Sequence, residues 1–197
     1  MPANQHRITP ADLLPAEVYA REREAHRRAL IPVKRNRRME VGPFVTFYFE
    51  NFTTMLAQVQ EMLHIERGGD EQIAGELEAY NPLIPQGREL IATMMIEIDE
   101  PSRRQSTLLK LGGIENSAWL QIGTSRITGT PTDYADRTTE DGKTSSVHWV
   151  RFRLSPANIA AFRDAGNELI LGISHDNYGH MAIVTPEKRA ELSKDLD

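Results

Sequence analysis

The sequence predicts an α+β domain: a mixed or mainly antiparallel sheet with helices packed on it. Three observations lead there. Runs rich in β-branched and aromatic residues follow one another across hairpin-length links, as at 119–128 and 168–184. Where a helix separates two such runs it is mostly short, unlike the regular alternation that builds a doubly wound parallel sheet. The 197 residues, 40% hydrophobic and 26% charged, fit one globular domain with a sizeable core. No internal repeat or linker-like stretch divides the chain.

Taken in chain order, Thr9-Pro10-Ala11-Asp12 reads as an N-cap with proline in the first turn, where its missing N–H costs nothing. Ser155-Pro156 and Thr185-Pro186 repeat the device and start two later helices. A helical stretch from Pro15 through Tyr19, Arg23, His26 and Leu30 is expected to stop at Pro32. Residues 44–50, aromatic and β-branched after Gly42-Pro43, read as a strand. Asn51 then caps the clearest helix, with Phe52, Met55, Leu56, Val59, Met62 and Leu63 on one face and Gly68-Gly69 as its stop. A second helix is expected over 70–80, closed by Asn81-Pro82, followed by a loop to Gly87. Residues 89–98 read as a buried strand and 101–111 as a short helix ending at Gly112-Gly113. Trp119–Ile122 and Arg126–Thr128 flank Gly123-Thr-Ser as a hairpin. The polar stretch 130–144 has no apolar period and is expected to be a mobile loop. Strands at 146–154, 168–174 and 180–184 and a helix at 155–165 complete the chain, with a last helix from Pro186.

Composition removes whole classes of function. With no cysteine there is no disulfide, thiolate-held cluster, cysteine nucleophile or Cys-type zinc site. The opening Met1-Pro-Ala-Asn-Gln-His-Arg has no apolar h-region and no apolar run reaches about 18 residues, so neither a secretory signal nor a membrane span is expected. The cytoplasm is the expected compartment. The net charge of −5 is unevenly spread. Residues 1–40 carry nine Lys/Arg and five Asp/Glu, whereas 41–197 carry fourteen and twenty-three. We therefore divide the chain into a basic helical arm, 1–40, docking on a single α+β body, 41–197.

Several constellations have the residue types for chemistry. Glu61 and His64 have the Glu-x-x-His spacing of di-metal bundle helices, but the helical wheel puts both opposite Val59, on the side expected to face solvent. The same wheel turns Glu66 inward with Met55, Val59 and Met62, where a carboxylate would need a partner. The basic cluster Lys34-Arg35-Asn36-Arg37-Arg38 could supply one, which suggests a polar site of Glu50, Gln58, Glu66 and an arginine. That cluster also suits an acidic protein partner or a small anionic ligand, while the acidic body argues against nucleic acid. His148, His175 and His180 could converge with Asp176 on a metal, although their spacing matches no established ligand pattern. Neither a phosphate loop nor a Gly-x-Ser-x-Gly elbow occurs. No cofactor is predicted.

The segments Val41-Gly-Pro43, Phe49-Glu-Asn51, Gln58-x-Gln60-Glu-Met62, Ile65-Glu-Arg67, Tyr80-Asn-Pro82, Ile96-Glu97 and Thr144-Ser-Ser-Val-His148 carry a resemblance. Together they resemble an uncharacterised bacterial family, domain-of-unknown-function family three-five-zero-one, over nearly the whole chain. The resemblance implies a bacterial protein without an assigned activity. The family's association with rubrerythrin-like and iron–sulfur proteins further implies an accessory role in a redox or oxidative-stress system. It draws attention to Glu50, Gln58, Glu66 and His148, which fall inside the shared segments. The function expected is thus a binding or accessory protein using Arg35, Arg37, Arg38, Glu50, Gln58, Glu66 and His148. The alternatives are a metal-assisted enzyme built on Glu66 and His148 and a nucleic-acid-binding protein. Catalytic residues, substrate and oligomeric state are not read from the sequence.

Overall fold

A strand covered on both faces has to lie in the middle of the molecule, and one run meets that condition. β3 (Glu89–Ile96) is buried along almost all its length. It lies at the centre of a five-stranded antiparallel sheet, ordered β1-β2-β3-β7-β6, with β1 (Arg38–Val41), β2 (Val45–Phe49), β6 (Thr130–Pro131) and β7 (Val147–Arg153). A second antiparallel sheet has the order β5-β4-β8-β9, from β4 (Ala118–Ile122), β5 (Ser125–Thr128), β8 (Leu169–His175) and β9 (Tyr178–Ile183). The computed structural model describes residues 5–132, 138–139 and 142–197.

The main core fills the space between the sheets. Val45, Phe47, Phe49, Leu90, Met94 and Phe152 from the first sheet meet Leu120, Ile122, Leu169, Leu171 and Ile173 from the second. Each side chain of this size contributes roughly 1.5–3 kcal/mol when fully buried. Helices α4 (Pro101–Leu108), α5 (Pro156–Arg163) and α6 (Pro186–Leu192) add Leu108, Ile159, Phe162 and Leu192 at its margins. The sheets are also pinned together at one corner. Tyr178 Oη donates to Val41 O (2.6 Å) and accepts from Val45 N (3.2 Å). Gly42, with φ +76°, leaves room for this contact, since a Cβ there would lie 2.5 Å from that hydroxyl.

A smaller core covers the outer face of the first sheet. α2 (Phe52–Glu66) lays Met55 and Val59 on Ile91, with Ile8, Leu83 and Ile84 closing the edges. α3 (Asp70–Tyr80) and α1 (Ala16–Arg35) flank α2. The segment before α1 is tied down by two side-chain amides. Asn81 bonds both the N–H and the carbonyl of Ile8, and Gln60 does the same for Leu14. Among the described residues no helix is long and apolar enough to cross a membrane.

The structure differs from the sequence expectations at several elements. α1 runs through Pro32 to Arg35. The turn around Pro32 is exposed, so water can serve the Arg28 carbonyl that proline leaves without its helical donor. Thr9-Pro10 begins only a 3-10 turn, Pro10–Asp12, and the helix expected over 101–111 closes at Leu108. Arg38, the last residue of the basic cluster, opens a strand with alternating burial, Arg38–Val41, so the line drawn between 40 and 41 falls inside β1. Within 130–144, Thr130 and Pro131 pair with β7, while 133–137 and 140–141 lie outside the described residues. The side of α2 expected to face solvent instead faces α1, where Tyr19 Oη donates to Glu61 (2.9 Å) and His64 meets the Tyr19 ring edge-on. An amphipathic wheel locates the most apolar stripe, and a second helix can still cover the polar side.

Candidate functional site

Three neighbouring strands create the floor of a cleft. Register places Tyr48 of β2 beside Thr93 of β3, and Thr93 beside Trp149 of β7. Side chains alternate along each strand, so all three share the outer face with Ile91. Tyr80 at the end of α3 supplies an aromatic wall, and Met55 and Gln58 of α2 supply another. Lys34, in the last turn of α1, also lines the space, which encloses about 270 Å³.

Glu50 lies at the base of this cleft, between the end of β2 and the cap of α2. Asn51 accepts the Thr54 N–H (2.9 Å), and its own N–H reaches Thr54 Oγ1 (2.9 Å). That cap brings the Thr54 hydroxyl within 2.6 Å of Glu50 Oε2, while Thr93 Oγ1 is 2.6 Å from Glu50 Oε1. Glu50 is only 8% exposed, and among the described residues no cation is ion-paired with it. Burial pushes its carboxyl above the usual carboxylate range, against the pull of the two threonine hydroxyls and of the Lys34 and Arg37 charges. Thr54 Oγ1 is also 3.1 Å from Asn51 O, so the hydroxyl can donate to an ionised Glu50, or donate to Asn51 O while accepting a hydrogen bond from a neutral Glu50. The site can therefore hold Glu50 in either state.

Arg37 lies behind this carboxyl and is 1% exposed. Its guanidinium donates to Phe49 O (2.9 Å) and Glu50 O (3.1 Å), and it meets Glu191 (3.2 Å) and Asp195 from the C-terminal segment. With four acceptors engaged, Arg37 positions the Glu50 backbone. Arg38 turns to the surface, with Glu40 at 3.0 Å and its guanidinium 5.8 Å from the Tyr48 ring centroid. Arg35 is exposed on the far side of Lys34.

The structure thus brings Glu50, Gln58 and Arg37 together and leaves Glu66 and His148 out. Glu66 is the last residue of α2, exposed and accepting from Gln72 Nε2 (2.7 Å). The apolar stripe of α2 outlasts its packing surface, as the 60% exposure of neighbouring Ile65 shows. His148 lies across from Met94 on the inner face of the sheet, with Nε2 2.8 Å from Ser145 O and Nδ1 3.6 Å from Glu115. The sheet separates it from Glu66, so the two cannot form one metal-assisted site.

The other histidines are engaged apart from it. His175 Nε2 is 3.1 Å from Gly112 O, and His180 packs on Tyr178. Among the described residues no three His, Asp or Glu side chains gather for a metal. Sequence reasoning missed Thr54, Thr93, Tyr48 and Trp149. Thr54 was within reach as the third residue of a capped helix. The other three needed the strand register.

The chain is similar to proteins described as being of unknown function. The family described as "Protein of unknown function (DUF3501)" matches residues 7–196. A crystal structure of a novel protein of unknown function from Burkholderia pseudomallei K96243 is 35% identical, with a TM-score of 0.89, covering 96% of this chain and 99% of that one. No curated protein matches the chain. With the family pattern spanning both sheets and the Glu50 cleft, the chain belongs to the DUF3501 family of proteins of unknown function.

Proposed function

We propose that this chain is a binding protein that receives a small anionic ligand in the Glu50 cleft. One observation carries the reading: a nearly buried carboxyl, ion-paired with no cation among the described residues, faces a cleft walled by Tyr48, Tyr80 and Trp149. A fold gains nothing in stability from such a group, and buried titratable side chains in clefts concentrate at functional sites. The volume of about 270 Å³ suits a small organic molecule. Its apolar body fits between the aromatic rings, an N–H or O–H donor faces Glu50, and its acidic group faces Lys34. Arg35 and Arg38 lie outside the cleft and take no part in this contact.

The test is a ligand-observed NMR screen of small aromatic and aliphatic acids against wild type, Glu50→Leu and Lys34→Ala. Hits should cluster among acids that also carry a donor. Both substitutions should weaken them at least about tenfold, the loss of one charged contact. Hits that bind all three proteins alike would place the ligand elsewhere and remove the reading.

A further inference from the structure

A second concave surface, distinct from the Glu50 cleft, lies where the edges of the two sheets approach each other. β1 and β9 meet at Gly42 and His180 and open toward Arg38 and Ile183, leaving a groove of about 520 Å³. The end of α1 closes one side with Ile31, Lys34 and Arg35, and Lys188 of α6 stands over the other.

Backbone phase shows what the groove offers. Phe49 N donates to Arg37 O (2.8 Å), so in the alternating antiparallel pattern Met39 turns its polar groups to β2. The backbone groups of Arg38 and Glu40 then point outward, and Lys188 Nζ accordingly donates to Arg38 O (2.6 Å). On the other strand Val184 N donates to Leu169 O (2.8 Å), which turns Ala182 to β8 and leaves the backbone of Met181 and Ile183 at the open edge. Among the described residues no backbone bond joins β1 to β9. Two strand edges therefore border one groove; Lys188 takes the Arg38 carbonyl, and among the described residues the outward backbone groups of Glu40, Met181 and Ile183 have no backbone partner.

The side chains around these edges combine charge with apolar surface. Ile31 is 57% exposed and Ile183 64%, so the charges do not cover the apolar part of the groove. Lys34, Arg35, Arg38 and Lys188 line the groove against a single carboxylate, Glu40. Glu40 is taken by Arg38, and among the described residues Lys34, Arg35 and Lys188 have no carboxylate partner. Burial lowers the Lys188 ammonium and the Arg38 charge lowers it further, against the pull of Glu40 and Glu187.

We propose that this groove is a docking site for an extended acidic segment of a partner protein. Its backbone would pair with a free strand edge, its acidic side chains would face Arg35 and Lys188, and its alternate apolar side chains would rest on Ile31 and Ile183. The charge excess identifies the partner's sign, and the paired edges identify its extended form. Lys34 lines both the groove and the Glu50 cleft, but the docking surface stands without any ligand in that cleft.

The experiment pans a random peptide display library against the full chain, then repeats the capture with Arg35→Glu and Ile183→Lys, both exposed positions that leave the fold intact. Enrichment of peptides alternating acidic and apolar residues is expected, bound at least about tenfold more weakly by each variant and also weakened by added salt. Failure to enrich such peptides, or capture that survives both substitutions, overturns the proposal. So does light scattering that shows a dimer of wild type lost in Ile183→Lys, because a second copy of this chain would then be the occupant.

Discussion

Glu50 holds its charge at a disadvantage, and that has a measurable sign. Its carboxyl is raised in the folded protein, chiefly by burial. A raised carboxyl contributes its full stability below the unfolded value of about 4.3 and loses it as pH climbs to the folded value. Glutamine cannot ionise and keeps a polar group between Thr54 and Thr93. Glu50→Gln should therefore melt close to wild type at pH 4 and above it at pH 8. The gap should grow by about 1.4 kcal/mol for each pH unit between the two values. Scanning calorimetry across that range checks it, and a variant less stable than wild type at pH 8 would show that the carboxylate is well solvated after all. A substitution that improves stability while harming ligand capture is the expected mark of a residue kept for function.

At the scale of elements, the packing of α1 on α2 depends on a half-buried cluster. Arg23 donates from Nε to Glu61 (3.0 Å) and Tyr19 adds its hydroxyl. Arg23 is the main reason the Glu61 carboxyl drops to about 2, and burial with the Glu61 contact lifts the Tyr19 hydroxyl to about 12. A lowered carboxylate contributes stability above the unfolded value near 4.3 and loses it as pH falls toward 2. Glu61→Gln should cost about 1 kcal/mol at pH 7, and the difference from wild type should shrink between pH 5 and 2. Urea titrations at pH 7 and pH 3 read both arms. A cost that is the same at both would mean that lost packing, not charge, is responsible.

The sequence did announce these elements, though not their faces. Asn51, Ser155 and Thr185 accept the backbone N–H of Thr54, Asn158 and Lys188, as their residue types predict. Local chemistry of this kind is written in neighbouring residues. Which side of α2 meets α1, and whether Glu66 extends past the sheet, depend on where other elements end. Arg37 shows the same limit. Amid Lys34-Arg-Asn-Arg-Arg38 it resembles a surface charge, and only the distant Glu191 and Asp195 make it an interior one. The Glu50 cleft was half legible for this reason: Glu50 and Gln58 belong to one strand–helix unit, whereas Thr93 and Trp149 arrive by strand pairing.

For the whole molecule, the C-terminal segment closes over the first sheet through that buried arginine. Asp195 is 2% exposed and Arg37 1%, and Leu196 bridges to Gly87 beside them. Breaking a buried pair on one side leaves the other charge uncompensated, typically at about 3–5 kcal/mol. Glu191 still faces Arg37 at 3.2 Å, so Asp195→Asn should cost less than that in urea unfolding, with the slope unchanged because the same surface is exposed. Removing both charges at once should cost less than the two single changes added together, since neither partner is then left alone. Arg37→Met combined with Asp195→Leu supplies that comparison. The guanidinium also holds Phe49 O and Glu50 O, so the single change should loosen the base of the cleft. Faster amide exchange at Glu50 and Asn51 in Asp195→Asn would show the tail and the cleft acting as one unit. Strict additivity of the two substitutions, with unchanged exchange at Glu50, would mean that the tail is held by apolar packing alone.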